Sequence, residues 1–236
     1  MSRFDALVAS YGPSAWWKLN DPVGSATAAD SSGNDYTGTP HGGVTFGQPG
    51  PIAGQTAAAF DGSTGYIEAI PESALEGSFT IACWFNVPSS PSGKSLFEGD
   101  YTSSSPDVTS LHLYPNVINV NVGSAGGLIG PNLNMAATIS ANVWYFLAVT
   151  VIPGTAGYFL NGASLGTLGF GAGTPQLWVA GKGVSISSSL AVLAFSGSIA
   201  EVAIFPYALS AAQIAALWSP PPLVSGGSGF PQLVYR

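Results

Sequence analysis

Charge is what this sequence has least of. Only 7% of its residues are Asp, Glu, Lys or Arg, against roughly 25% in an ordinary soluble protein. Five Lys and Arg and a net charge of −7 leave no cation cluster for a phosphate backbone, so nucleic acid is excluded as a partner. The single cysteine, Cys83, excludes an intrachain disulfide and reads as an inert thiol on the apolar side of a strand. The two histidines, His41 and His112, lack the spacing of a metal pair and read as solvated or hydrogen-bonded. No apolar run reaches the ~18 residues of a membrane span, so no membrane insertion is expected. The opening MSRFDALVAS carries Arg3 and Asp5 and no apolar core. It therefore reads as no secretory signal, and the chain as made in the cytoplasm.

Two short motifs fail on their surroundings. Gly93-Lys94-Ser95 ends like a phosphate-binding loop, but the glycine required five residues earlier is Pro88. Gly162-Ala163-Ser164-Leu165-Gly166 spells a nucleophile elbow, yet it straddles a hairpin rather than a strand-to-helix turn.

What the sequence does have is apolar residues (46%), with 31 Gly and 18 Pro spread along its length. That apolar content excludes disorder, and Ser, Thr, Asn and Gly must supply the polar surface. Phe79, Ile81, Cys83, Phe85 and Val87 alternate with Thr80, Ala82, Trp84 and Asn86, the period of a strand with one buried face. Ile118, Val120 and Val122 alternate with Asn119 and Asn121, and 143–152 is a nearly continuous apolar run. Asn161-Gly162 after Tyr158-Phe159-Leu160 marks a type I′ hairpin. Further strands are expected at 15–19, 56–60, 66–70, 176–180 and 196–205. Two helices are expected: 2–10, ended by Tyr11-Gly12-Pro13, and one after Ser210, whose Gln213 completes a capping box. The strand 196–205 leads into that last helix and reads as a closing strand with neighbours far away in sequence. About a dozen short strands and almost no helix predict an all-β, two-sheet antiparallel sandwich or jelly roll with short N- and C-terminal helices.

The order of its motifs gives the chain a family likeness. Trp17-Lys18-Leu19 with Asp21 is followed by Asp30-Ser31-Ser32-Gly33-Asn34, Gly38-Thr39 and Gly42-Gly43. Phe60-Asp61-Gly62 with Tyr66-Ile67, then Phe79-Thr80-Ile81 with Trp84, come next. Trp144-Tyr145 with Ala148-Val149, Tyr158 with Leu160-Asn161-Gly162, and the stretch 195–217 complete the series. In this order they resemble the laminin-G-like (LamG) jelly roll of the concanavalin A-like lectin/glucanase superfamily, in its bacterial and phage form. The resemblance divides the chain into an N-terminal helical arm (1–13), the jelly-roll domain (14–218) and a Pro/Gly-rich tail (219–236).

The resemblance implies a carbohydrate-binding, adhesion or virion role, since one fold hosts many functions. Glycosidases of the superfamily carry acids as E-x-D-x-x-E on one strand. No such run occurs here, so the expectation is a non-catalytic protein. Asp30, Asn34, Asp61 and Glu201 are the candidate oxygen ligands for calcium. The alternative is that they brace turns, and Ala200 stands where the family often has an aspartate of the closing strand. Trp178 and Tyr101, beside loops, are the candidate sugar-stacking platforms; the other tryptophans are expected in the core. Two functions follow. One is a structural component of a bacteriophage virion, a minor tail or capsid-surface decoration protein. It would be made in the host cytoplasm, oligomerise among other virion proteins through its terminal arms, and contact host-surface glycans. The other is a lectin-like carbohydrate-binding module of a bacterial surface or secreted protein.

Overall fold

The computed structural model describes residues 2–99 and 109–218. A first helix, α1 (Arg3–Ser10), leads into β1 (Ala15–Trp17), β2 (Thr39–His41), β3 (Val44–Pro49), β4 (Thr56–Asp61), β5 (Tyr66–Ala69), β6 (Leu75–Glu76) and β7 (Phe79–Asn86). Then come β8 (Lys94–Glu98), β9 (Ser110–Tyr114), β10 (Val117–Ser124), β11 (Gly127–Ala136), β12 (Trp144–Ile152), β13 (Thr155–Leu160) and β14 (Ala163–Gly169). The chain continues through β15 (Gln176–Trp178), β16 (Val184–Ser187) and β17 (Ser196–Phe205) to α2 (Ala211–Trp218). The first sheet runs β14-β13-β12-β7-β17-β4-β3 with β1 also on β17; the second runs β2-β5-β16-β8-β9-β10-β15-β6 with β11 on β10. All pairings between these strands are antiparallel. This is the two-sheet sandwich expected.

The closing strand has the distant neighbours its position calls for. β17 pairs with β7 on one side, and with β4 and β1 on the other. Between the sheets lies the main core, in which Phe79, Ile81, Cys83 and Phe85 meet Phe97, Leu111, Val120 and Ile186. Burial pushes the Cys83 thiol up to about 12, an inert group as expected.

Strand β7 was expected to bury one face, and it buries both. The reason is a second core on the outer face of the first sheet. There Ala57, Ala82, Ala148, Ala200 and Ala203 form a floor of small side chains on which the two helices rest. From above, Phe4 and Val8 of α1 and Ile214 and Leu217 of α2 close over Trp84 and Phe146. Phe4 stands edge-on to both rings, at 6.4 and 6.1 Å between centroids. The segment expected to be a free docking arm is therefore part of the domain. The sequence marked a helix there, and the structure packs its Phe4 and Val8 on the chain's own first sheet.

The caps fix both helices. Ser2 accepts from the Asp5 amide at 3.0 Å. Ser210 forms the expected box, its amide donating to Gln213 at 2.9 Å and its hydroxyl accepting from the Gln213 amide at 3.3 Å. Asn161 and Gly162 both have positive φ (52° and 76°), as a type I′ turn demands. Gly162 has a second reason to lack a side chain: a Cβ there would sit 2.7 Å from Trp218 Cβ.

Beneath α1 lies a buried polar group. Glu201 sits at a bulge between Ala200 and Ala203, with φ of 56°. Its Oε2 accepts from Trp16 Nε1 at 2.7 Å, while its Oε1 has no partner among the described residues. Asp5 of α1 pairs with Lys18 at 2.9 Å, and the Lys18 ammonium lies 4.3 Å above the Trp16 ring. Burial pushes the Glu201 carboxyl up to about 8; the Trp16 bond and Lys18 oppose the shift, and the Asp5 charge adds to it.

Two outcomes follow. Phe4→Ala should lower stability to urea by about 3–5 kcal/mol, the cost of emptying an aromatic core site; a merely tethered arm would give no change. The unfolded chain sheds the Glu201 proton near the ordinary value of 4.5 and the folded chain only near 8. Stability from this group is thus fully present below 4.5 and lost as pH rises through 8. Glu201→Gln keeps an acceptor for Trp16 and removes the loss. Its melting temperature relative to the parent should climb between about pH 5 and about pH 9, and a pH-independent difference would refute the assignment.

Candidate ligand-binding face

The second sheet turns one face to the core. Ile67, Ile186, Phe97, Leu111, Val120 and Leu133 stand opposite one another in a continuous file across it, all buried. Alternate residues point the other way, and they are polar. Glu68, Ser185, Glu98, Ser110 and Asn121 form one cross-strand row over β5, β16, β8, β9 and β10. Ser95, His112, Asn119 and Asn134 form the next, over β8, β9, β10 and β11. A bulge in β8 sends both Leu96 and Phe97 inward, which is how Ser95 and Glu98 share the outer face.

The rows are knit by amides. Asn119 Nδ2 donates to Asn134 Oδ1 at 2.8 Å, and Asn121 Nδ2 to Ser110 Oγ at 3.1 Å. Asn121 Oδ1 in turn accepts from the Asn132 amide at 2.8 Å. At the β2 edge, His41 stacks on Tyr66 at 4.5 Å and its Nε2 meets Glu68 Oε2 at 3.1 Å. On β9, in the middle of the sheet, His112 Nε2 lies 3.9 Å from Glu98 Oε1, and Tyr114 is 39% exposed.

The centre of this face is desolvated although no described helix covers it. Asn119 is 2% exposed, His112 8% and Glu98 9%. Burial pushes His112 down to about 4, so the ring is neutral near pH 7; its contact with Asn119 pulls weakly the other way. Burial raises Glu98, while bonds from Ser188 and Ser95 lower it. His112 Nε2 is buried and makes no hydrogen bond among the described residues, an unmet polar group of the sort that marks a place for a ligand or water.

The sequence candidates fall elsewhere. Trp178 is 1% exposed, with its ring edge-on to Tyr36 and its Nε1 donating to Ser73 O at 2.8 Å, so it cannot offer a face to a sugar. Nearness to loops in sequence misplaced it: β15 is tucked between β10 and β6. Tyr101 lies outside the described residues. Asp30 accepts from the amides of Trp16, Ser32 and Tyr36 and from the Ser32 hydroxyl. Asn34 donates to Ser14 O. Asp61 accepts from the amides of Ser63, Thr64 and Gly65 and both neighbouring hydroxyls. Those bonds hold its carboxyl far below the usual range, the Thr64 amide most of all. Glu201 is buried beneath α1. Turn-bracing thus describes Asp30, Asn34 and Asp61, and among the described residues no three acidic, His or Cys side chains converge on a common point.

His41 and His112, read as unrelated, share this one face, each beside a glutamate. The alternation of Ser110-Leu111-His112-Leu113 marks His112 as outward-facing, but only strand register shows what it stands beside.

The same sandwich recurs in known binding domains. Domain 4 of AbnA, an extracellular arabinanase of Geobacillus stearothermophilus solved with arabinotriose, superimposes with a TM-score of 0.64 at 19% identity, over 87% of this chain and 97% of that one. The binding domain of Paraclostridial Mosquitocidal Protein 1 gives 0.63 at 14% identity, over 86% of this chain and 51% of that one. That of botulinum neurotoxin serotype D/C gives 0.60 at 17% identity, over 92% and 52%. This chain spans about half the length of the two toxin domains. At such identities the likeness is one of fold. No curated protein matches the sequence. Residues 61–215 match Laminin_G_3, and the chain belongs to the concanavalin A-like lectin/glucanases superfamily.

Proposed function

We propose that the protein is a non-catalytic carbohydrate-binding module whose ligand lies on the outer face of the second sheet. One observation carries this: two polar rows are fixed in register by amide bonds, with Ser110, Asn121 and Asn134 open to solvent and His112 Nε2, in the second row, without a hydrogen bond among the described residues. Sugars present rings of hydroxyls, each both donor and acceptor. Asn, Ser and neutral His answer both roles. Because their partners are already set, little ordering is left to do on binding. The family and the arabinotriose-bound neighbour support the reading. It needs no hydrolysis, and Glu68 is engaged by His41.

Glycan-array screening followed by calorimetry on the best ligand tests it. Asn121→Ala should weaken binding about five- to tenfold, the worth of one or two hydrogen bonds, with a melting temperature lower by only about 2–4 °C and no release of reducing sugar. A parent protein that binds no glycan overturns the proposal.

A second reading, in which the chain is a repeated subunit of a phage particle among other virion proteins, is favoured by its surface. Val23 (77%), Val192 (78%) and Leu190 (59%) stand exposed in a chain with very few charges to keep copies apart. The tail 219–236, expected to dock on a neighbour, lies outside the described residues. Its deletion should leave the melt unchanged and lower incorporation into particles severalfold; normal incorporation would refute a docking role.

A further inference from the structure

The polar cluster beneath α1 holds an amine and a carboxyl in an arrangement that an ion pair alone does not require. Asp5 is buried and Lys18 half-buried, with Lys18 Nζ at 2.9 Å from Asp5 Oδ2. The Trp16 ring, 4.3 Å from Nζ, takes the place of water on one side of the ammonium. Charges drawn out of water in this way are costly to keep. A lysine amine so placed is one proton away from being a nucleophile.

The carboxyl is prepared at its other oxygen. Asp5 Oδ1 accepts from the Ser2 hydroxyl and from Gln55 Nε2, the latter at 2.6 Å. Donors converging on one oxygen of a carboxyl stabilise the oxyanion of acyl transfer. They leave Oδ2, against the amine, as the oxygen to depart. The approach is fixed by the fold. Lys18 directly follows β1, whose Trp16 and Trp17 pair with Ala203 and Val202, and its carbonyl accepts from the Glu201 amide at 3.1 Å. Asp5 is carried by α1, which is capped at Ser2 and seated on the second core through Phe4 and Val8. Reactants held in this way need no encounter, the chief advantage of an intramolecular reaction. Burial raises the Asp5 carboxyl, but bonds from Ser2, Lys18 and Gln55 outweigh it and hold the group below its usual range. The ion pair is therefore the starting state.

The surroundings of that pair are incomplete. Gln55 Oε1 and Glu201 Oε1 are buried without a partner among the described residues, and both belong to side chains that interact with the pair. An amide in place of the two charges removes desolvated ions and brings one new N–H donor among these unmet oxygens.

We propose that Lys18 and Asp5 condense into an intramolecular isopeptide bond that ties α1 covalently to the end of β1. One proton first passes from Nζ to Oδ2 along their hydrogen bond, leaving a neutral amine and a neutral acid. The Nζ lone pair attacks Asp5 Cγ, a C–N bond forms, and Oδ1 carries the negative charge between Ser2 and Gln55. A second proton passes from Nζ to the Oδ2 hydroxyl. The Cγ–Oδ1 double bond is restored, the Cγ–Oδ2 bond breaks, and Oδ2 leaves as water. The products are one secondary amide and one water, with no co-reactant.

Intact-mass spectrometry of the purified full chain in denaturant tests this, followed by sequencing of its proteolytic peptides. The chain should be lighter than its sequence by one water, with a branched peptide joining Asp5 to Lys18 and no acetylation of Lys18 by an amine-reactive reagent. Lys18→Arg keeps the positive charge without the nucleophile and should show the full mass. Asp5→Asn should shed one ammonia in place of water through the same bond. Circular dichroism confirms that each variant is folded. A folded parent chain of full mass with Lys18 open to acetylation overturns the proposal. So does loss of water without the branched peptide, the mark of a succinimide, or loss of water that persists in Lys18→Arg.

Discussion

The domain depends on the pairing of its last strand. Until β17 is in place, β1, β4 and β7 have no common neighbour, and the first sheet is three unconnected pieces. The partners of β17 come from the first 86 residues of the chain. Closing so long a loop is an entropic cost met before the contacts that repay it, so folding of the first sheet waits for the end of the sequence. The capping box at Ser210 and the helix behind it follow directly, and they clamp the closing strand from outside through Leu209, Ile214 and Leu217.

Scarcity of charge shapes everything else. With few charged side chains to spend, the chain anchors its turns by aspartates that take up neighbouring amides, as Asp30 and Asp61 do. Its one ion pair between Asp and Lys among the described residues, Asp5–Lys18, is placed where α1 meets the sheet. The polar face of the second sheet is made from neutral amides and hydroxyls in register. Such a face is poorly solvated compared with one of charges, so covering it costs less desolvation.

Much of the fold was legible because it is written locally. Alternation located β7 and β10, Asn161-Gly162 located a hairpin, and Ser210 with Gln213 located a helix start. What escaped was set by distant residues. The double burial of β7 depends on helices at both ends of the chain. Strand β11 hid behind Gly130 and Pro131, and it is accommodated by register breaks against β10 near Val122. Of the site almost nothing was visible. Trp178 looked like a platform and is buried, and the rows through Glu98, His112 and Asn119 exist only as cross-strand neighbours. Asn119 and Asn121 were seen as the wet side of a strand; their ordering into a ladder needs β11.

The two helices sit side by side on one face of the sandwich, over the same alanine floor. The amide rows lie on the opposite outer face, with both sheets and the main core between. Anything covalently joined to either end of the domain therefore enters from the helical side. The domain is polar in the sense of a pad on a stalk: a support joined on the helical side leaves the amide rows pointing away from it, and several copies mounted on one support would all present those rows in the same direction.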